Sequence, residues 1–111
     1  INAAFTDAFQ YSRSDGVLLE TYLEGTEYGV DGLMYEGRYI HGGTTGKDVS
    51  PLPHRFDLGI YMPPYGPGNE NGEIEFCVEK ALQAIGVTSA TTHVEVIVTG
   101  EGPRVVEIAA R

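Results

Sequence analysis

The sequence predicts an α+β fold, an antiparallel β-sheet with two flanking helices. Three observations carry that expectation. Two segments place apolar residues at three- and four-residue spacing, and several shorter runs rich in Val, Ile, Thr and Tyr are separated by Gly-containing turns. The elements also follow the order helix, strands, helix, hairpin, which suits helices segregated to one side of an antiparallel sheet.

The first helix is expected from Ile1 to about Ser14, where Ala4, Phe5, Ala8, Phe9 and Ser12 share a face and Ser14-Asp15-Gly16 ends it. Val17–Leu23 is a nearly continuous apolar run, expected to be a strand covered on both faces. After a turn at Glu24-Gly25-Thr26, Glu27–Tyr35 and Arg38–His41 read as two strands joined at Glu36-Gly37, a hairpin signal. Gly42–Pro53, rich in Gly, Thr and Pro, reads as a loop, and Phe56–Met62 as one more strand, ended by Pro63-Pro64. The second helix is expected from about Glu70 to Ile85, with Ile74, Cys77, Val78, Ala81, Leu82 and Ile85 on one stripe and Gly86 as its stop. Thr92–Val98 and Arg104–Ala110 form the final hairpin around Thr99–Pro103.

The 111 residues suffice for a single domain, 1–111, able to bury a core without staples. The chain opens on Ile1, already inside a predicted helix, and closes at the edge of an apolar strand, so a piece of a longer protein cut at both ends is expected. Sixteen acidic residues against seven basic ones give a net charge of −9, which argues against nucleic acid or an anionic membrane as partner. A single cysteine, Cys77, excludes an internal disulfide or a multi-cysteine zinc site and fits a cytoplasmic, reducing location. No apolar stretch is long enough to span a bilayer.

The final hairpin holds the most informative pattern. With Val98 opposite Arg104, Glu95 falls directly across from Glu107, and His93 across from Ala109 on the same face. Like charges at facing positions destabilise a sheet, so a shared proton, a nearby cation or a slipped register must relieve them. A Mg2+ ion would serve, since it takes one or two carboxylates together with phosphate oxygens. On spacing alone, a solvent-facing pair of glutamates is the commoner arrangement.

Val105-Val106-Glu107-Ile108-Ala109-Ala110-Arg111 resembles the apolar–Glu–Ile–Asn–x–Arg signature that closes the ATP-grasp fold. Glu95, twelve residues before Glu107, stands where that family keeps its other metal-binding acid. The run from Val17 to Asp31 resembles the family's strand, hinge and E-G-x-E-Y-x-V-D stretch, and Pro63 and Ala81–Val87 match its layout. The resemblance covers nearly the whole chain and is closest to the carbamoyl-phosphate-synthase-like and L-amino-acid-ligase-like branch. It implies the C-terminal part of an ATP-grasp domain, in an enzyme that joins a small carboxylate to an amine through an acyl phosphate.

On this resemblance Glu20, Thr21, Tyr22 and Leu23 form the hinge against adenine, and Glu27 accepts hydrogen bonds from the ribose hydroxyls. Glu95 and Glu107 hold Mg2+, with Mn2+ as an alternative, on the ATP phosphates. Arg111 is the catalytic residue, whose guanidinium fork suits an acyl phosphate or carboxylate. Ala109 departs from the signature, because a methyl group replaces the amide oxygen that would serve a second metal. The family's glycine-rich flap and phosphate-binding lysines have no counterpart here, so this segment by itself is expected to be inactive. Surfaces left uncovered would favour a homodimer.

Other candidates read more simply. Lys47 does not lie in a P-loop spacing and reads as a solvated loop lysine, with reach to phosphate or substrate as the other reading. His41, His54 and His93 are too scattered for a metal triad, and Cys77 fits the apolar stripe of the second helix. A competing reading of the whole chain is a non-enzymatic α+β binding module with an acidic, cation-binding face.

Overall fold

The computed structural model describes residues 2–52, 55–62 and 72–110. Its elements are α1 (Asn2–Gln10), β1 (Thr26–Tyr35), β2 (Arg38–Val49), β3 (Asp57–Tyr61), α2 (Glu73–Ala84), β4 (Ala90–Thr99) and β5 (Gly102–Ala110). The five strands form one antiparallel sheet in the order β3-β2-β1-β4-β5. The α+β expectation therefore stands.

Among the described residues, α2 covers one face of the sheet and no helix covers the other, the open face. Strand alternation turns Tyr28, Val30 and Met34 of β1 and Val94, Val96 and Val98 of β4 to the same side. There they meet Ile74, Val78 and Leu82, which recur every fourth residue along α2, and this cluster is the buried core. Glu73 and Glu75 occupy the first turn of α2, where carboxylates oppose the helix dipole favourably. At its far end the Gly86 N–H donates to Gln83 and the Val87 N–H to Leu82, the paired bonds of a Schellman stop, which carries Val87 onto the core. The β1–β2 turn has positive φ at both Glu36 (49°) and Gly37 (78°), the conformation whose twist suits a two-residue hairpin.

Four details depart from the sequence reading. Gly42–Val49 is not a loop but the continuation of β2. Of its glycines, Gly46 leaves room for the Tyr61 ring, as Gly32 on β1 does for the Tyr39 ring, while Gly42 lies against the β1 backbone. Val17–Leu23 makes no strand, and Leu18 and Leu19 are about four-fifths exposed (81% and 78%). Only at its end does the segment meet the sheet, where the half-buried Leu23 borders a cleft with Ile97, Val105 and Val106. Helix α1 stops at Gln10, buries no residue and touches neither the sheet nor α2. Instead Phe5 stacks on Phe9, and Ala4, Phe5 and Ala8 border an apolar hollow with Val17, Leu18 and Leu19.

The fourth departure concerns the final hairpin. The turn is tighter than expected: Thr99 pairs with Gly102, and the Thr99 hydroxyl donates to the Gly102 carbonyl at 2.9 Å and accepts from the Glu101 N–H at 3.1 Å. Val98 is thus opposite Pro103, and Ile97 opposite Arg104, one residue off the expected register. A bulge between Glu95 and Val96 absorbs the extra residue on β5, and beyond it Glu95 does face Glu107 and His93 faces Ala109.

Candidate functional site

The open face of the sheet gathers the charged residues. At its β4–β5 end, Glu20, Thr21, Tyr22, Leu23 and Glu27 border one cleft of about 350 Å³ with Arg55, Ile97, Val105 and Val106. The expected hinge segment and the expected ribose acid are thereby brought together, over an apolar floor. Gly25 makes this approach possible, because a Cβ there would sit 2.2 Å from the Val98 carbonyl oxygen. Only glycine lets the chain press onto β4 before turning into β1.

Beside the cleft, Lys47 is buried, its side chain only 5% exposed. Its ammonium lies 2.5 Å from Glu95 Oε1, 3.4 Å from Asp57 Oδ2 and 3.5 Å from Glu27 Oε1. Burial pulls the ammonium pKa down, but the Glu95 hydrogen bond and the charges of Glu95, Asp57 and Glu27 outweigh it, leaving the pKa above the ordinary lysine value. Lys47 comes from β2 and Glu95 from β4, so their contact spans β1, and the residue of β1 paired with Glu95 is Gly29. With no side chain at Gly29, the space above it is taken by the Thr45 hydroxyl and the His93 ring, which flank the bridge. The solvated loop lysine of the sequence reading is thus a buried strand lysine at the centre of three carboxylates.

Glu95 and Glu107 are cross-strand partners, so alternation places both on the open face. Glu95 is half-buried and engaged by Lys47, while Glu107 is exposed. Among the described residues no group of three His, Cys, Asp or Glu side chains converges as a complete metal cage. Two carboxylates on one face still fit Mg2+, which characteristically completes its octahedron with phosphate oxygens and water. Ala109 presents a methyl group and can donate nothing. Opposite it, His93 lies on the same face, its Nδ1 2.9 Å from Asp31 Oδ1 and its ring over Gly29. Arg111, the expected catalytic residue, lies outside the described residues, as does His54.

Three residues escaped the sequence reading. Arg55 follows β2 in the chain and borders the cleft; its Nη2 is 3.2 Å from Glu27 Oε2 and its Nη1 donates to the Tyr22 hydroxyl at 3.3 Å. Asp57 opens β3 and belongs to no recognisable spacing; Asp31, which ends the E-G-x-E-Y-x-V-D stretch but carries no role in the sequence reading, orients His93. His41 does not join the site. Its ring lies between Glu75 of α2 (Nδ1, 3.3 Å) and the Thr44 hydroxyl (Nε2, 2.9 Å), on the helix side. Cys77 is half-buried on α2 with its thiol donating to the Pro103 carbonyl, and burial pushes the thiol pKa up, which suits packing rather than reactivity.

This geometry has relatives. The chain is similar to carnosine synthase 1 of Gallus gallus, 25% identical over 97 residues, which cover 87% of this chain and 10% of that protein. It is similar to carnosine synthase 1 of Mus musculus as well, 26% identical over 97 residues, 87% of this chain and 12% of that protein. In structure it resembles an L-amino acid ligase from Bacillus licheniformis, with a TM-score of 0.70 and 26% identity over 81% of this chain and 22% of that one. Phosphoribosylglycinamide synthetase from Anaerococcus prevotii, at 20% identity and a TM-score of 0.64 over 96% of this chain and 27% of that one, shares the fold. The chain thus spans about a tenth of the length of the curated relatives and about a quarter of the solved chains. A family model described as ATP-grasp domain matches residues 3–111, and the chain belongs to that family.

Proposed function

We infer that this chain is the nucleotide- and metal-binding part of an ATP- and Mg2+-dependent ligase that joins a small carboxylate to an amine through an acyl phosphate. ATP-grasp relatives are ATP-dependent carboxylate–amine ligases. One observation carries the reading: the adenine-type cleft, Glu27, Lys47, Glu95 and Glu107 share the open face of one sheet.

Each group has a task that its position supports. Leu23, Ile97 and Val105 give the purine an apolar floor, and the backbone of Glu20–Leu23, in no ladder, is free to pair with its edge. Glu27 accepts from the ribose hydroxyls. Glu95 and Glu107 would hold Mg2+, which would supply positive charge to offset that of the transferring phosphoryl group. Lys47 keeps Glu27 and Glu95 near one another while they await their ligands, since three carboxylates without a cation would repel. Arg111, two residues after Ala109, would hold the carboxylate or acyl phosphate by its guanidinium fork.

The test is calorimetric titration of ATP with Mn2+ or Mg2+ into the protein carrying this chain, wild type and Glu107→Gln. Loss of one metal carboxylate should weaken metal–nucleotide binding by at least about tenfold, in keeping with a charge-assisted contact. Equal affinities in the two proteins would refute the metal role of Glu107. A wild type that binds no ATP would refute the nucleotide reading altogether.

A further inference from the structure

Among the described residues, no backbone hydrogen bond ties Glu20–Leu23 to the sheet. A hinge that must present its backbone edge to a base needs a fixed position, and something else has to supply it. The side chain that reaches it is Arg55. One nitrogen of its guanidinium donates to the Tyr22 hydroxyl (3.3 Å), and another lies 3.2 Å from Glu27 Oε2. The remaining Glu27 oxygen, Oε1, faces the Lys47 ammonium at 3.5 Å. Glu27 is therefore gripped from two sides, one oxygen per cation, with its side chain only 15% exposed.

The planar fork of an arginine suits this two-point grip in a way a lysine cannot reproduce, because its donors diverge at fixed angles toward two acceptors. Arg55 also borders the cleft, so it is positioned to hold the hinge and the ribose acid in one arrangement before any ligand arrives. We propose that Arg55 is a positioning residue that aligns Glu27 with the ribose hydroxyls and Tyr22 with the base, and so sets the preference of the site for ribonucleotides. The proposal rests on the nucleotide reading above. Its contribution is separable from that reading, because Arg55 acts through Glu27 and through the hinge.

The experiment compares ATP with 2′-deoxyATP by calorimetry in the protein carrying this chain, for wild type, Arg55→Ala, Arg55→Lys and Tyr22→Phe. Wild type should bind ATP more tightly than 2′-deoxyATP. Arg55→Ala should weaken ATP binding about tenfold, the scale of one charge-assisted hydrogen bond, and bring the two nucleotides close to equal affinity. Arg55→Lys, which keeps charge without the fork, should restore only part of the discrimination. Tyr22→Phe should weaken both nucleotides equally, because it loosens the hinge and leaves Glu27 held.

Melting curves without nucleotide identify any variant that fails to fold; should Arg55→Ala do so, Arg55→Lys and Tyr22→Phe carry the comparison. Wild-type discrimination between ATP and 2′-deoxyATP in both arginine variants overturns the proposal while the nucleotide reading stands. A wild type that binds both nucleotides equally overturns the ribose role of Glu27 and the proposal with it. A wild type that binds neither overturns the nucleotide reading first.

Discussion

Replacing Lys47 by methionine removes one buried ammonium and leaves Glu27, Asp57 and Glu95 facing one another. At 2.5–3.5 Å from the ammonium, each carboxylate gains roughly 5–7 kcal/mol of gross attraction at an effective dielectric constant of about 20. Desolvation of the ammonium and of the acids offsets most of that. Breaking a buried pair by removing one partner typically costs about 3–5 kcal/mol. Here Glu95 and Asp57 keep 27% and 48% of their exposure, so water recovers part of the loss, and about 2–3 kcal/mol is expected at pH 7.

The assay is urea unfolding of wild type, Lys47→Met, Glu95→Gln and the double variant, with a coupling of at least about 1 kcal/mol between the two positions. The pH dependence has a definite sign. The folded pKa of Lys47 lies above its unfolded value, so its contribution is complete below about pH 10.4 and disappears as the pH rises through the folded value. On the alkaline side, the stability gap between wild type and Lys47→Met should therefore persist until strongly alkaline solution. A Lys47→Met protein within about 0.5 kcal/mol of wild type at pH 7 would match a solvated surface lysine and refute the buried cluster.

Two further predictions concern the covered face. Thr92 is buried, and its hydroxyl has no hydrogen-bond partner among the described residues; Thr92→Val, of the same shape, should raise the stability by about 1 kcal/mol in urea unfolding, and a loss of that size would refute the assignment. Tyr39 is held neutral by burial first, then by the charges of Glu75 and Asp31, to a pKa of about 12. Phenolate absorbance at 295 nm should show a late step that Tyr39→Phe removes. Because that phenol ionises near pH 10 when unfolded, wild type should lose stability to this group between about pH 10 and pH 12.

How far the sequence was legible varies by element, and for identifiable reasons. Helix α2 announced itself through the spacing of Ile74, Val78 and Leu82 and through Gly86, all local signals that the structure repeats. The Glu36-Gly37 turn was equally local. By contrast, the glycines of Gly42–Val49 imitated a loop because their purpose lies in another strand: they make room for Tyr61 or line up beside β1. Val17–Leu23 imitated a buried strand because hydrophobicity reports a tendency to be covered and does not name the cover. The hairpin register came out right at Glu95 and Glu107 although the turn was misjudged, since the bulge compensates for the shorter turn.

What the sequence determined by itself is the class of fold, the family signature and the identity of the acids, since these depend on residue type and on separation along the chain. The contact of Lys47 with three carboxylates, the Arg55 fork between Tyr22 and Glu27, and the position of His93 between Asp31 and Gly29 were decided only by the tertiary structure. These groups lie 20 to 64 residues apart in the chain, except that Asp57 is ten residues from Lys47, and those on the sheet meet because antiparallel pairing sets β2, β1 and β4 side by side. A side chain's neighbours across a sheet are set by register, and register is a property of the assembled strands.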